Sequence, residues 1–336
     1  MIKVLLSFLI SFVICLIIGP VTIKLMQKLR FGQQVRDDGP ASHLKKQNVP
    51  TMGGIMMVLA ILITSLIFNV RGSALVAVIA TVGYGLIGFL DDFIKIVKKR
   101  SLGLRAYQKI IGQFGIALIV AWYGYKNLGG EIFIPFYGYG DMGIWYIPFA
   151  MFVIIAITNG ENLADGLDGL ASGMTLVEGL TIAGIILFTV SGASNTLHPV
   201  ITDEAQLAER QQLAIVAASM AGSCLGFLRF NMYPARIFMG DTGALALGGC
   251  MAICALYAKM ALLLPVMCVM LVVTCVSVIL QVGSFKLRKG KRIFKMAPLH
   301  HHYELLGYHE TTVTSMYVLI TVVASVLAII LAVVKF

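Results

Sequence analysis

The sequence has few charged side chains: they make up 12% of its 336 residues, whereas hydrophobic residues make up 59%. A chain with so little charge, and a mean hydropathy of +0.90, cannot cover a water-exposed surface. All six cysteines lie inside apolar runs, without the CxxC spacing of a metal site. These scarcities exclude a soluble protein, disulfide bonds in loops and a cysteine metal centre, and they predict an integral membrane protein.

Acidic residues are also scarce: the chain has 16 Asp and Glu against 26 Lys and Arg, which gives a net charge of +10. In a soluble protein this balance would suggest a nucleic-acid partner. Here the basic residues form short clusters between long apolar runs, which is typical of the signals that orient a protein in a membrane. We therefore expect a lipid bilayer as partner and no nucleic acid.

Ten apolar runs are candidates for membrane-crossing helices, because about 20 apolar residues span a bilayer and lipid does not tolerate open strands. The first run is too long for a signal-peptide core, so we interpret it as a membrane helix. The fold prediction is an all-α integral membrane protein in which residues 1–336 form a single polytopic domain. The expected spans are residues 2–26, 51–70, 73–93, 107–124, 144–159, 168–190, 210–230, 242–259, 261–285 and 312–335.

The basic residues also predict the orientation of these spans. Most Lys and Arg fall in the five loops on one side of the membrane, which the positive-inside rule assigns to the cytoplasm, with both termini outside. Residues 125–143, rich in Gly and aromatics, are expected to form an external hairpin, and Pro265 to bend the ninth helix. The predicted cytoplasmic loops are residues 24–50, 93–109, 159–168, 229–241 and 286–311, with approximate bounds.

Asp91 and Asp92 end the third apolar run in the sequence GFLDDFIK. Two adjacent carboxylates lie there at the negative end of a helix dipole, which is unfavourable for a structural role. A Mg²⁺ site or a proton-abstracting group explains them better than a solvated helix end balanced by nearby lysines. If the helix continues, Asp92 and Lys95 share a face, which suits a carboxylate beside a phosphate-binding lysine.

The stretch NGENLADGLDGLA, residues 159–171, places polar groups densely between two apolar runs. Asp165 and Asp168 are three residues apart and would share one face of a helix. The alternative is that Asn162 or Asp165 caps the sixth span, which does not account for the whole run. The pattern predicts recognition of a hydrogen-bonding ligand such as a base or a sugar.

The stretch NMYPARIFMGDTG, residues 231–243, precedes the eighth run. Asp241 has two compatible interpretations: it caps the helix, or it holds a Mg²⁺ that bridges to phosphate at the helix N-terminus. Phe238 has two as well, since it offers a stacking face to a base but a lone aromatic is more often a membrane-interface anchor.

Three consecutive histidines occur in PLHHHYE, residues 298–304. Their side chains diverge too widely to bind one zinc ion easily, so we favour hydrogen bonding or charge donation to phosphate over a zinc site.

Glu178, inside the sixth run, is expected to face protein or water. Together the carboxylates, basic loops and histidines on one predicted face indicate phosphate chemistry at the membrane surface. A secondary transporter is the alternative from another class, but it would need polar groups near the bilayer midplane.

These motifs resemble those of the phospho-N-acetylmuramoyl-pentapeptide transferase (MraY) family, within the superfamily of polyprenyl-phosphate sugar-1-phosphate transferases. Ten membrane helices with both termini outside is also the architecture of that family. The PLHHHYE run resembles the muramoyl-pentapeptide branch, and the branch that uses UDP-N-acetylglucosamine is the enzymatic alternative. Departures from the family pattern are Asn48-Val49 and Ala244. The matching motifs are RDDGPASHLKKQNVPTMGG (36–54), GFLDDFIK (88–95), NLADGLDGLASG (162–173), NMYPARIFMGDTG (231–243) and MAPLHHHYELLG (296–307).

The resemblance implies Mg²⁺-dependent transfer of phospho-N-acetylmuramoyl-pentapeptide from its uridine diphosphate donor to undecaprenyl phosphate. It implies a multi-pass protein of the bacterial cytoplasmic membrane, commonly a homodimer, and both direct attack and a covalent aspartyl intermediate fit. Asp241 would bind Mg²⁺, and Asp92, helped by Asp91, would deprotonate or position the acceptor phosphate. Asn231 would support the metal and the diphosphate. His300 completes the catalytic set. The remaining implied substrate-binding residues are Lys46, Thr51, Lys95, Lys109, Asn159, Asn162, Asp165, Asp168, Phe238, His301 and His302.

Overall fold

A computed structural model describes residues 1–29, 46, 49–98, 102–190 and 204–333. Most of the motif at residues 36–54 lies outside the described residues. The helices are α1 (Ile2–Lys28), α2 (Gly54–Ile67), α3 (Gly72–Val97), α4 (Ala106–Leu128), α5 (Tyr146–Ala164), α6 (Leu170–Val190), α7 (Glu204–Asn231), α8 (Gly240–Tyr257), α9 (Leu264–Met267), α10 (Val269–Leu287), α11 (Leu299–Leu305) and α12 (Glu310–Val333). The strands are β1 (Glu131–Ile134) and β2 (Gly138–Asp141), and short 3₁₀ helices cover Gly143–Trp145 and Ala261–Leu263.

Within the described residues, eight helices are long and apolar enough to cross a membrane, namely α1, α3, α5, α6, α7, α8, α10 and α12. Helix α2 is apolar but has only 14 residues. The chain is thus an all-α, multi-pass membrane protein. The full number of ten spans and the orientation of the termini stay predictions.

Helix α8 lies at the centre of the bundle and is buried along almost its whole length. It packs against α3 on one side and α5 on another. Its small residues allow these close approaches, since a side chain added at Gly249 would overlap Tyr84 of α3 and one at Gly248 would overlap Thr158 of α5. Because α8 carries Asp241 at its first turn, this packing places that residue among the ends of the neighbouring helices.

The segment between α4 and α5 forms the hairpin that its composition predicts. Strands β1 and β2 pair antiparallel, with Glu131 opposite Asp141 and Ile134 opposite Gly138. The backbone N–H of Phe133 donates to the carbonyl oxygen of Lys259 at 2.8 Å and so attaches the hairpin to the segment after α8. The hairpin is confirmed, whereas its side of the membrane stays a prediction.

The ninth expected span, residues 261–285, is divided into a 3₁₀ turn, the short helix α9 and the long helix α10. Pro265 lies in the first turn of α9, where the missing N–H of proline breaks no helical bond. The interruption falls at Cys268, between α9 and α10. The break is therefore three residues beyond the proline, and Pro265 does not bend the interior of one long helix.

Several polar motifs lie on helices where loops were expected. Helix α5 continues to Ala164, so Asn159 and Asn162 belong to its last turns, and helix α11 lies inside the expected 286–311 loop. Residues 165–169 form turns between α5 and α6. Consequently neither Asn162 nor Asp165 caps the sixth span, and that alternative is wrong.

Candidate active site

Asp91, Asp92 and Lys95 lie on one face at the end of α3. The helix continues to Val97, so the spacing of three and four residues brings the side chains together. The Lys95 ammonium nitrogen is 2.6 Å from an Asp91 carboxylate oxygen and 3.4 Å from one of Asp92. This confirms that the carboxylate and the lysine share a helical face.

Asp241 joins this group because glycines let α3 and α8 touch. A Cβ added at Gly88 would overlap the carbonyl oxygen of Asp241. Gly240 adopts the left-handed φ of +70°, and a Cβ there would lie 2.6 Å from Asp92 Oδ2 and 2.9 Å from Thr51 Oγ1. The result is a cluster of three carboxylates, Asp91, Asp92 and Asp241, with one oxygen of each within 4.8 Å of the others.

Asp92 caps helix α8 from a neighbouring helix. Its Oδ1 accepts a hydrogen bond from the backbone N–H of Asp241 at 3.2 Å. Its Oδ2 accepts from the backbone N–H of Thr242 at 3.0 Å and from the Thr242 hydroxyl at 2.8 Å. The interpretation of Asp241 as the helix cap is therefore wrong, because α8 begins before it and Asp92 satisfies the first amides. This capping leaves the Asp241 side chain available to other partners.

Two lysines compensate the carboxylates. The Lys95 ammonium lies 3.1 Å from Asp241 Oδ2 and thus contacts all three carboxylates, while the Lys109 ammonium lies 2.7 Å from the same oxygen. Asn162 donates from Nδ2 to Asp241 Oδ1 at 3.0 Å and accepts from Lys109 at 3.3 Å. In their ionised forms the three carboxylates exceed the two ammonium groups by one negative charge, which a further cation would offset.

Asp91 also positions the start of α4. Its Oδ1 accepts from the backbone N–H of Leu104 at 2.8 Å, and a Cβ at Gly103 would lie 2.5 Å from the same oxygen. This bond ties the segment before α4 to the carboxylate cluster, and Lys109 follows within the first turns of that helix. Sequence reasoning missed this contact, since nothing in residues 102–105 resembles a ligand motif.

The donor set of this cluster fits a hard divalent cation. Carboxylate oxygens are the ligands that Mg²⁺ and Ca²⁺ prefer. Within the part of the chain that the structure describes, these aspartates are the one group of three or more His, Cys, Asp or Glu close enough to share an ion. The cluster is therefore a candidate metal centre.

Asp165 faces the same cluster, whereas Asp168 does not. Burial, followed by the negative charges of Asp241 and Asp92, raises the pKa of Asp165 to about 7. Asp168 instead contacts Lys46 at 2.6 Å. The two aspartates do not share a helical face, because the condition for it is not met: residues 165–169 turn rather than continue α5.

Lys46, Asp168 and Glu310 form a second charged group. Lys46 contacts both carboxylates, and Glu310 also accepts from the backbone N–H of Asp168 at 2.6 Å. Burial alone would lower the pKa of Lys46, but its bonds to the two carboxylates raise it above its usual value. The Lys46 ammonium lies 5.9 Å from the centre of the Phe238 ring. Glu310 was absent from the expected site, although its place at the start of an apolar run could have indicated it.

Backbone pairing brings residues 50–54 beside residues 238–239. Phe238 donates its N–H to the carbonyl of Pro50 at 2.8 Å, and Gly53 donates to the carbonyl of Phe238 at 2.8 Å. Thr51 therefore lies beside Gly240, at the edge of the carboxylate cluster. The pairing thus holds Phe238, which lies near Lys46, beside the segment whose Thr51 borders the carboxylate cluster.

Two asparagines expected at the site are engaged with protein groups. Asn231 is buried; its Oδ1 accepts from the backbone N–H of Gly169 at 3.0 Å and from Ser172, and its Nδ2 donates to the carbonyl of Ile237 at 3.0 Å. Asn159 donates from Nδ2 to the side chain of Gln113 at 2.7 Å. These bonds assign both residues to holding loops and helices in place around the site.

The three histidines of α11 point in different directions. His300 is buried against the loop that carries Asp165, since a Cβ at Gly166 would overlap its Nε2. His301 contacts Glu304 at 2.8 Å, and His302 accepts from the backbone N–H of Lys295 at 3.1 Å. His300 is thus the histidine nearest the aspartate loop, and His302 faces the preceding basic segment.

Comparisons with known proteins identify the family of this chain. The model of glycosyl transferase family 4 matches residues 74–259. A phospho-N-acetylmuramoyl-pentapeptide-transferase of Clostridium perfringens is 46% identical over 96% of both chains. Enzymes of the same name from Clostridioides difficile and Caldanaerobacter subterraneus are 48% and 47% identical over 96% of this chain, covering 95% and 96% of their own lengths. The chain therefore belongs to the phospho-N-acetylmuramoyl-pentapeptide-transferase family, within glycosyl transferase family 4.

Proposed function

We propose that the chain transfers phospho-N-acetylmuramoyl-pentapeptide from its uridine diphosphate donor to undecaprenyl phosphate, forming lipid I and releasing UMP in peptidoglycan synthesis. The observation that carries this proposal is the cluster of Asp91, Asp92 and Asp241 with Lys95 and Lys109 at the end of apolar helices. Such a cluster suits two phosphates that must meet at a membrane surface. Full-length relatives named for this transfer favour it over the transporter and the N-acetylglucosamine branch.

The metal in this proposal is Mg²⁺, held by Asp241 with Asp91 and Asp92. Bound there, it would offset the repulsion between the donor diphosphate and the anionic acceptor. The bonds of Asp92 to the first amides of α8 fix the position of Asp241. We therefore assign Asp92 a positioning role in addition to any contact with the metal.

Lys95 and Lys109 are proposed to bind the phosphates, since both already face Asp241 Oδ2. In phosphoryl transfer the protein acts mainly by positioning and by stabilising charge. Asp92, helped by Asp91, would deprotonate or position the acceptor phosphate. Asp91 Oδ2 is 2.6 Å from Lys95, so this carboxylate and the phosphate-binding lysine can act as a unit.

The donor nucleotide and sugar are proposed to lie between the two charged groups. Asn162, Asp165 and Phe238 border this region from α5, the following turn and the segment before α8. Lys46, held by Asp168 and Glu310, would contact the donor from the other side. His300 and His301 close the region from α11, whereas His302 would act through the basic segment it contacts.

An apolar groove on α10 is proposed for the prenyl chain of the acceptor. Its lining is almost wholly apolar and comes from α10, α11 and the segment between them, including Val272, Val276, Leu280, Phe294 and Leu299. The groove ends near α11, whose His300 lies against the loop that carries Asp165. A photoreactive acceptor analogue should crosslink to α10, and crosslinking only to distant helices would remove this part of the proposal.

The test is transfer by purified protein in detergent, given undecaprenyl phosphate, Mg²⁺ and one of two donors. UMP release and lipid-linked product with UDP-N-acetylmuramoyl-pentapeptide alone would support the proposal. Turnover of UDP-N-acetylglucosamine alone would assign the chain to the sister branch. We further propose a homodimer in the bacterial cytoplasmic membrane, which light scattering of the purified protein would test.

A further inference from the structure

The β1–β2 hairpin lies at the end of the bundle opposite the carboxylate cluster. Helix α4 begins beside the cluster, where Leu104 bonds Asp91 and Lys109 bonds Asp241, and it ends at Leu128 just before the hairpin. At about 1.5 Å per residue a helix of 23 residues spans about 34 Å. This length matches the hydrocarbon core of a bilayer, about 30 Å thick. The hairpin therefore lies about one membrane thickness from the site.

The base of the hairpin is held firmly to the helical bundle. Ile132 and Phe133 are buried, and Phe133 bonds the backbone of Lys259. The Lys259 ammonium pairs with Glu131 of β1 and lies 5.9 Å from the ring centre of Tyr139 in β2. Both strands are thus fixed to the end of α8, so the position of the hairpin tip is set by the fold.

The tip presents aromatic rings where a turn in water would carry small polar residues. Phe136 and Tyr137 have 64% and 77% of their surface exposed. Phe136 also adopts φ +69°, a left-handed conformation that favours glycine or asparagine, in a turn closed by Tyr137 N–H to the Ile134 carbonyl at 3.1 Å. Phe136 therefore combines an unfavourable backbone conformation with an exposed aromatic ring.

The same end of the molecule carries both tryptophans of the chain. Trp122, near the end of α4, is 51% exposed, and Trp145, just before α5, is 72% exposed. Lys126 lies over the Trp122 ring at 5.2 Å from its centre. Tryptophan, tyrosine and lysine at helix ends are typical of the membrane–water interface, where an apolar ring and a polar group are both satisfied.

We propose that Phe136, Tyr137, Trp122 and Trp145 form an interface anchor that inserts into the headgroup layer of the leaflet opposite the active site. The occupant of this surface is lipid, because the surface continues into the exposed apolar flanks of α4 and α5, with Ile119 at 69% and Phe152 at 70% exposure. The anchor fixes the α4–α5 connection at the membrane surface.

The test places one tryptophan at the tip. The full chain with Trp122→Phe, Trp145→Phe and Tyr137→Trp is reconstituted into phosphatidylcholine nanodiscs that contain lipids brominated at shallow or deep acyl positions. We expect strong fluorescence quenching by the shallow bromines, weak quenching by the deep ones, and weak quenching by aqueous iodide. Strong iodide quenching without lipid quenching would place the tip in water and overturn the proposal. Shielding from both quenchers would show that protein covers the tip, which also overturns it.

A second variant tests the anchor without added tryptophan. Phe136→Asn with Tyr137→Ser keeps a residue that tolerates φ > 0 at position 136 and removes both rings. In nanodiscs the native tryptophans should become more accessible to iodide than in the unaltered chain, with transferase activity unchanged. Equal accessibility in an active variant would contradict an anchoring role for the tip.

Discussion

Two groups of carboxylates in this bundle differ in what surrounds them. Asp91, Asp92 and Asp241, at the end of α3 and α8, have two lysines within 3.4 Å. Glu161 and Glu178, on α5 and α6, are fully buried, and within the described residues no Lys or Arg forms an ion pair with either. The partners of the glutamates are neutral, with Thr175 donating to Glu161 and Cys268 beside Glu178.

The difference distinguishes carboxylates that have cationic partners from carboxylates that have neutral ones. An uncompensated ion inside a protein costs several kcal/mol, so buried charges are normally paired. The aspartates have cationic partners and helix amides, as charged groups need. Within the part of the chain that the structure describes, the glutamates have neither, so we expect them to act as neutral polar groups that pack α5 against α6. The following substitutions test this contrast, in order of decreasing effect.

Asp241→Asn should have the largest effect. The amide oxygen can still accept from Asn162, but the negative charge that faces Lys95, Lys109 and the proposed metal is lost. We expect UMP release to fall by about 10²–10³-fold, the range for removing one group that stabilises developing charge. Circular dichroism and the melting temperature serve as controls for folding. Retention of more than about a tenth of the activity would argue against a catalytic cluster here.

Lys95→Met should come next, because the ammonium of Lys95 contacts all three carboxylates. Removing one partner of a buried charged group costs about 3–5 kcal/mol, so the variant should melt well below the unaltered chain in the absence of divalent ions. Added Mg²⁺ should restore part of this loss, since a cation that binds the folded state stabilises it. If the melting temperature of the variant did not change when Mg²⁺ was added, the three carboxylates would not bind that ion.

Local sequence patterns predict the helices and the polar residues at their ends, but not the long-range contacts between those residues. The apolar runs predicted most helices to within a few residues, and the polar motifs at their ends identified Asp91, Asp92 and Asp241. The capping of α8 by Asp92 was not predictable, because it joins residues 150 positions apart through the packing of two helices. The same holds for Lys46 and Glu310, which are 264 positions apart.

Local conformation explains the remaining errors. Asp165 and Asp168 would share a face only if their stretch were helical, but turns from residue 165 direct one toward Asp241 and the other toward Lys46. A spacing of three residues predicts a shared face only if the helix continues, and the glycines at 166 and 169 favour turns instead. Helix termini are the least certain feature of a periodic pattern, and here they determine the site.

Glu310→Gln should weaken the second charged group. Glu310 is largely buried and bonds both Lys46 and the backbone of Asp168, so we expect a loss of about 1–3 kcal/mol in the free energy of unfolding. The KM for the donor should rise more than kcat falls, because Lys46 loses its position. Glu131→Gln is the matched control: its ion pair with Lys259 is half exposed and should contribute less than about 1 kcal/mol. Equal effects of the two changes would contradict a special role for Glu310.

Thr242→Val should have a smaller effect on both stability and transfer. The substitution removes the hydroxyl that donates to Asp92 at 2.8 Å but keeps the two backbone donors. A loss of about 1 kcal/mol is expected for one hydrogen bond, with activity reduced a few-fold because Asp241 is less well placed. Thr242→Ser should restore both quantities. Failure of serine to restore activity would mean that the methyl group, and not the bond to Asp92, matters.

Glu178→Gln should change least and is the strictest test of the contrast. Glutamine has nearly the same shape and no charge, so replacing a carboxyl that we expect to be neutral should leave the melting temperature equal or slightly higher and UMP release within about two-fold. Glu161→Gln should behave in the same way, because its bond from Thr175 can be kept by the amide oxygen. If either variant folded normally but lost more than about ten-fold in activity, the interior carboxyl would be required in its acidic form. The bundle would then hold a second functional carboxylate group. Because no lysine among the described residues forms an ion pair with it, this result would indicate proton or cation movement rather than packing.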